Sequence, residues 1–277
     1  MVTYCYFDGK IMSAKQAMVS IYDIGLLRGY GIYEALTTHN GKPFMLKEHL
    51  ERFRRSANFL DLKIPMGDQE LTQVIQELIV QNGYKESNIK FILTGGNIVA
   101  GIEFDSDFPT FYILVEEFSS LPEHFMTKGT SVITHEHQRQ YPQFKTTNYI
   151  TAVMLQKQRK EKGALEILYT SNGKVLECAT SNFFIIKNNV LITPKENVLL
   201  GITRKVVIDL AQKNNIKVEE RDITIEELHQ ADEAFLTASF KEVVPVVKVD
   251  EKMIGNGHVG PLSKKMFALF SEFTKHY

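Results

Sequence analysis

The chain has 277 residues, 44% hydrophobic and 23% charged, with a formal net charge of −1. That length suggests one large domain or two modest ones, and the near-neutral balance gives no electrostatic bias toward nucleic acid or an anionic membrane. Two cysteines, Cys5 and Cys178, are too few for a disulfide framework, no signal peptide is visible, and no apolar run approaches the roughly 20 residues of a membrane span, so a cytoplasmic protein acting on a small molecule is expected.

The first forty-five residues read as hairpins, with turns at Asp8-Gly9 and Asn40-Gly41 between apolar runs. Between them, Asp23–Glu34 carries three glycines that suggest a tight turn with close backbone approach. Helical spacing of Leu46, Leu50, Phe53, Ala57 and Leu60 predicts a helix over 46–60, and a second is expected over 68–82 with Gly83 as its stop. Strands are expected near 89–94 and 110–116. The polar, Pro122-bearing stretch that follows reads as a linker, placing a small N-terminal domain at 1–117, a linker at 118–128 and a larger domain at 129–277. In that larger part the pattern predicts a helix at 148–162, hairpins around Asn172-Gly173 and Asn188-Asn189, and a helix opening at Gly201-Ile-Thr. It also predicts a capping box at Thr224–Glu227, a strand at 233–238 and a helix at 261–275.

Several residues carry possible chemistry. Lys145 stands among Tyr141, Phe144 and Tyr149, and a lysine partly stripped of water has a neutral amine available for imine chemistry; the alternative is a solvated surface charge. Glu177, at the end of a strand with apolar neighbours, could hold a proton on a heterocyclic nitrogen or face solvent. Thr180, Ser181 and Asn182 suit orienting a ring or making a turn. Ile202 and Thr203 at a helix start form an anion-binding geometry, although a plain N-cap threonine is the commoner outcome. Arg52 suits bidentate phosphate recognition, yet Arg54 and Arg55 beside it read as a solvated face. His135 and His137 share a strand face without an evident third ligand, so no metal site is expected. Gly96–Gly101 lacks the Lys-Ser/Thr of a phosphate loop, and no dinucleotide fingerprint follows a strand.

In order and spacing, Tyr33-Glu34, Glu48-His49-Leu-Glu-Arg52-Phe, Lys145, Glu177-Cys-Ala-Thr-Ser-Asn-Phe-Phe184, Gly201-Ile-Thr-Arg204, Ala231-Asp-Glu-Ala-Phe235 and Thr237-Ala238-Ser239 resemble the class IV (fold type IV) pyridoxal-phosphate aminotransferases. This group spans branched-chain and D-amino-acid aminotransferases and aminodeoxychorismate lyases. The resemblance implies an α/β fold with a small N-terminal α/β sandwich and a larger C-terminal α/β pseudo-barrel, a homodimer, and pyridoxal 5'-phosphate as cofactor. It implies that Lys145 bonds the cofactor and shuttles a proton, and that Glu177 keeps the pyridine nitrogen protonated. It further implies that Arg52, the backbone of Ile202 and Thr203, and Thr237 to Ser239 hold the phosphate, with Ser181 and Asn182 beside the ring.

On the substrate side the chain departs from the branched-chain pattern: Arg28 replaces a tyrosine, and Asn88-Ile89-Lys90 stands where a Tyr-x-Arg is usual. Positions near Ala100 and Ile102 lack the arginine and histidine of a D-amino-acid subgroup. Arg28 could anchor a carboxylate, or that carboxylate could meet backbone N–H groups at Ala238 and Ser239, with Tyr33 lining the substrate side. The expected activity is amino transfer between an α-amino acid, of branched-chain L-type or D-type, and a 2-oxo acid such as 2-oxoglutarate. The alternatives are aminodeoxychorismate lyase activity that releases pyruvate, and a non-catalytic α/β binding protein.

Overall fold

In the computed structural model, residues 3–277 are described. The fold is α/β, with a smaller sandwich and a larger pseudo-barrel. One unit comprises the chain up to Ser119 together with Phe144–Asn148 and Tyr277; the other comprises Ser120–Gln143 and Tyr149–His276. The expected linker carries a short helix, His124–Thr127, which belongs to the second unit.

The first unit is built on a six-stranded sheet in the order Lys10–Ser13, Tyr4–Phe7, Thr110–Glu117, Ser87–Thr94, Gly31–His39, Lys42–Pro43. Asn40 and Gly41 both have positive φ, as a two-residue hairpin turn demands. Successive side chains alternate across the sheet, so Ile32, Glu34 and Leu36 face one way and Tyr33 and Ala35 the other. The first face packs Ile89, Phe91, Ile113 and Val115 against Leu50 and Phe53 of the helix Leu46–Phe59 and Leu71, Ile75 and Leu78 of the helix Asp68–Asn82. Each such fully buried side chain contributes roughly 1.5–3 kcal/mol relative to exposure.

The second unit carries a ten-stranded mixed sheet. Its path runs Val218–Glu220, Val190–Thr193, Asn182–Lys187, Glu233–Ala238, Glu242–Val249, Thr130–Glu136, Glu166–Ser171, Lys174–Cys178, Ile223–Thr224, with Lys252–Met253 paired to Glu242–Val249. Val132, Phe183, Ile185, Leu236 and Val244 fill one core beneath it.

Two local expectations change, and one strand adds to those expected. The Asp23–Glu34 segment is not only a turn: Ile24–Arg28 is a helix whose N-cap Asp23 accepts from the Gly25 N–H, and close backbone approach holds at Gly25, where a Cβ would strike Thr94, and at Gly31, where one would press on Leu93 O and Thr94. The helix expected over 148–162 is two short ones, Ile150–Met154 and Gln156–Glu161, interrupted at Leu155 after a run holding three β-branched residues that weaken helix. Glu242–Val249, which holds Pro245, is a strand in the middle of the larger sheet; its pairing to Thr130–Glu136 shifts register between Val246 and Lys248, close to the proline that has no N–H to give.

Candidate active site

In the first unit, Lys145 belongs to a short segment laid along the edge of the Gly31–His39 strand. Its backbone carbonyl accepts from the Tyr33 N–H at 3.0 Å, Thr146 bridges Ile32, and the Thr147 N–H donates to Gly31 O at 2.9 Å. The Lys145 N–H reaches Ser56 Oγ at 3.4 Å, and Phe144 stacks on Phe59 with ring centroids 3.9 Å apart. The side chain then lies with Nζ 4.3 Å from the Tyr33 ring centroid. Tyr33 is thus an aromatic neighbour of the amine, in a cation–π geometry that orders the lysine.

Arg52 is 5% exposed, whereas Arg55 and Glu51 beside it turn toward solvent, so the solvated-face alternative for Arg52 does not hold. Its Nε donates to Glu34 Oε2 at 2.9 Å and its Nη2 to Glu34 Oε1 at 2.7 Å. Glu34 also accepts from the Ala35 N–H and from His49 Nδ1 at 3.0 Å. Burial by itself would raise the Glu34 carboxyl, but the charge and bonds of Arg52, helped by His49, hold it far below the usual carboxylate range. Burial pushes His49 down, with Glu34 opposing, so His49 is neutral. An ionised carboxylate only accepts, so the His49 proton sits on Nδ1. Glu34 and His49 were legible in the sequence motif but carried no assigned role; their burial on the helix-covered face gives them one.

In the second unit, Glu177 is buried in the strand Lys174–Cys178. Arg139, which sequence reading did not single out, donates Nε and Nη2 to Glu177 Oε1 at 2.8 and 2.7 Å, and Nη2 also to Pro142 O at 2.6 Å. Glu177 Oε2 accepts from the Leu199 N–H at 3.0 Å, tying the acid to the loop that leads into the helix Ile202–Lys213. That helix starts with Gly201 as N-cap and has no side-chain cap, so its first N–H groups have no intrahelical partner. Asn182 Nδ2 donates to Leu199 O at 2.6 Å, and a Cβ on Gly201 would collide with Asn182 Oδ1. Across the strand pair Asn182 lies opposite Thr237, whose Oγ1 is buried and has no hydrogen-bond partner among the described residues. Ala238 and Ser239 follow at the strand end. Ser181 donates to Glu166 Oε1 at 2.9 Å.

Asn182 therefore sits against the uncapped helix start that carries Ile202 and Thr203, with Thr237 opposite it, a helix start of the kind suited to an anion. Residues 31–249 match the family model described as amino-transferase class IV. The chain belongs to amino-transferase class IV.

This class IV aminotransferase is 34% identical to a Methanocaldococcus jannaschii protein provisionally named branched-chain-amino-acid aminotransferase, over 96% of the chain and 95% of the relative. It is 32% identical to a D-alanine aminotransferase of Listeria monocytogenes, over 96% and 94%. The solved T.th. branched-chain amino acid aminotransferase with pyridoxamine 5'-phosphate superposes with a TM-score of 0.93 at 26% identity, covering 100% of this chain and 95% of that one. A Legionella pneumophila structure provisionally named 4-amino-4-deoxychorismate lyase gives 0.83 at 26% identity, covering 94% and 96%. The chain is thus a transferase, and no helix of its described residues is long and apolar enough to cross a membrane.

Of the residues expected on the substrate side, Tyr33 and Lys90 share the sheet face opposite the helices, because Tyr33 pairs with Ile92 and Lys90 with Ala35. Lys90 Nζ also lies 2.6 Å from Glu116. Arg28 ends the Ile24–Arg28 helix, exposed; Nη1 donates to Leu27 O at 2.8 Å, and among the described residues Arg28 has no acidic partner. His135 and His137 have ring centroids 6.5 Å apart, and among the described residues no group of three or more His, Cys, Asp or Glu is placed to hold a metal ion.

Proposed function

We propose that this aminotransferase uses pyridoxal 5'-phosphate to move an amino group between an α-amino acid, of branched-chain L-type or D-type, and a 2-oxo acid such as 2-oxoglutarate. The observation that carries the reading is the fixing of Lys145 along the Gly31–His39 edge with its amine over Tyr33. The residues fit the cofactor: the unpartnered Thr237 hydroxyl and uncapped helix start suit a phosphate, and a buried carboxylate backed by Arg139 suits a ring N–H. When bound, the cofactor supplies an aldehyde for the amino group and a protonated ring that draws electrons from the substrate Cα. Lys145 would present its amine at that aldehyde and move the proton at Cα. Glu177 would accept from the ring N–H, and Arg52, Thr237, Ser239 and the N–H groups of Ile202 and Thr203 would hold the phosphate. Ser181 and Asn182 would keep the adjoining turn in shape. Tyr33 and Lys90 line the substrate side in this reading, and Arg28 or the Ala238 backbone N–H takes a carboxylate.

We extend the proposal to a cytoplasmic homodimer. Met18, Ile21, Leu26, Val99, Ile102 and Phe108 of the first unit are each more than two-thirds exposed, an apolar surface that a second copy would cover. A sedimentation profile of a monomer would remove this part.

Purified protein is expected to be yellow, with a visible band that moves on adding an amino donor. A panel of L- and D-amino acids against 2-oxoglutarate and pyruvate then assigns the donor, and protein that takes up no pyridoxal phosphate removes the reading. The lyase reading is favoured by the Legionella neighbour. Release of pyruvate and 4-aminobenzoate from aminodeoxychorismate, without amino transfer, would establish it instead. The joint presence of Lys145 and Glu177 weighs against a non-catalytic binding protein.

A further inference from the structure

Lys241 is a half-buried cation in the second unit that the proposed chemistry does not use. It closes the turn after Ala238, Ser239 and Phe240, with its N–H donating to Ala238 O at 3.2 Å. Its Nζ reaches back to Glu166 Oε1 at 2.8 Å, Thr180 Oγ1 at 2.6 Å and Ser181 Oγ at 3.4 Å. Glu166 is 3% exposed, opens the strand Glu166–Ser171, and also accepts from the Thr180 and Ser181 hydroxyls. One ammonium therefore cross-links the turn before Asn182 to the turn after Thr237. Those two residues oppose each other across adjacent strands, and Asn182 continues the linkage to Leu199 and Gly201 at the helix start.

We propose that Lys241 is a positioning residue which, through Glu166, Thr180 and Ser181, fixes the spacing of Thr237–Ser239 against Asn182 and the helix start, and so sets affinity for the phosphate of the cofactor. Burial favours the neutral form of Glu166, but the Lys241 charge and the three hydrogen bonds keep the carboxyl below its ordinary range, so the clamp is ionic. Removing the cation leaves a buried carboxylate held only by two hydroxyls, and the turn carrying Ala238 and Ser239 loses its tether. Donors for a phosphate must sit within a few tenths of an ångström of their places, so the loss falls on the phosphate and not on the aldehyde end.

This inference rests on the cofactor reading above, and the experiment separates the two. Apo-protein is titrated with pyridoxal 5'-phosphate and, in parallel, with pyridoxal, which lacks the phosphate, following visible absorbance. Lys241→Met is expected to weaken pyridoxal 5'-phosphate binding roughly tenfold, while pyridoxal binding stays within about twofold. Lys241→Arg, which keeps a cation, is expected to restore most of the phosphate preference. Equal losses for the two ligands, or unchanged affinity in folded Lys241→Met, overturn the proposal. Should Lys241→Met fail to fold, Thr180→Val removes one tether, and an unaltered ratio of the two affinities overturns it equally. Wild-type protein that binds neither ligand would instead overturn the cofactor reading.

Discussion

Glu34 in the first unit and Glu177 in the second are both buried glutamates bonded twice by an arginine, yet the bonds are shared out differently. Arg52 grips both oxygens of Glu34, one through Nε and one through Nη2, and His49 and the Ala35 N–H add to the same acid. Arg139 donates Nε and Nη2 to the single oxygen Oε1 of Glu177, and Oε2 accepts from the Leu199 N–H. In the first pair the acid serves the arginine, aiming a guanidinium whose flexible stem would otherwise sample many rotamers. In the second the arginine serves the acid, keeping a carboxylate oriented among apolar strands. The same two residue types thus make two differently shared ion pairs, one in each unit.

That contrast can be broken by substitution. The largest effect is expected outside both pairs: Lys145→Ala should lower amino transfer by at least about a thousandfold with an unchanged circular-dichroism spectrum, and ordinary turnover in that variant would refute the assignment of the lysine. Next, Glu34→Gln removes the buried carboxylate that Arg52 and His49 grip and should destabilise the protein by roughly 3–5 kcal/mol, read by denaturant unfolding. The sign with pH follows from the depressed Glu34 carboxyl: its stabilising contribution is full above the unfolded value near 4.3 and is lost as pH falls toward the folded one. Wild type and Glu34→Gln should therefore converge in acid, below about pH 4; a gap that widens there would contradict the ion pair.

Arg139→Met should separate the two arginines kinetically. A fall in kcat of about tenfold with little change in cofactor affinity is expected, whereas Arg52→Met should raise the cofactor Kd first. If both variants change the same parameter, the proposed reversal of roles is wrong. The smallest effect is expected at Arg28, where Arg28→Ala should raise the KM of one carboxylate substrate several-fold, of the order of one exposed charge-assisted contact. Unchanged KM values across the donor panel would leave that carboxylate to the backbone at Ala238.

Much of the local structure was legible because it rests on short-range rules. Asn40-Gly41, Asn172-Gly173, Gly83 and Thr224 each specify a turn or cap within a few residues, and the hairpins and helix ends fall where they do for that reason. The strand through Pro245 was not legible, since a proline argues against an inner strand until a register shift within that strand, next to the proline, accommodates it. A ring that meets the Lys145 amine, Tyr33, comes from a distant strand, so no local window of sequence shows that contact.

By itself the sequence determined which chemistry is available, because residue type and spacing fix where a lysine, a strand-end acid, a glycine-started helix and an arginine can occur. Tertiary structure decided which partners surround each of them. Burial of Arg52 beside Glu34, the pairing of Arg139 with Glu177, the orphaned Thr237 hydroxyl and the Lys241 clamp all join residues far apart in the chain. Their energies come from removing charge and hydroxyl groups from water into fixed partners, and no local window of sequence holds both partners.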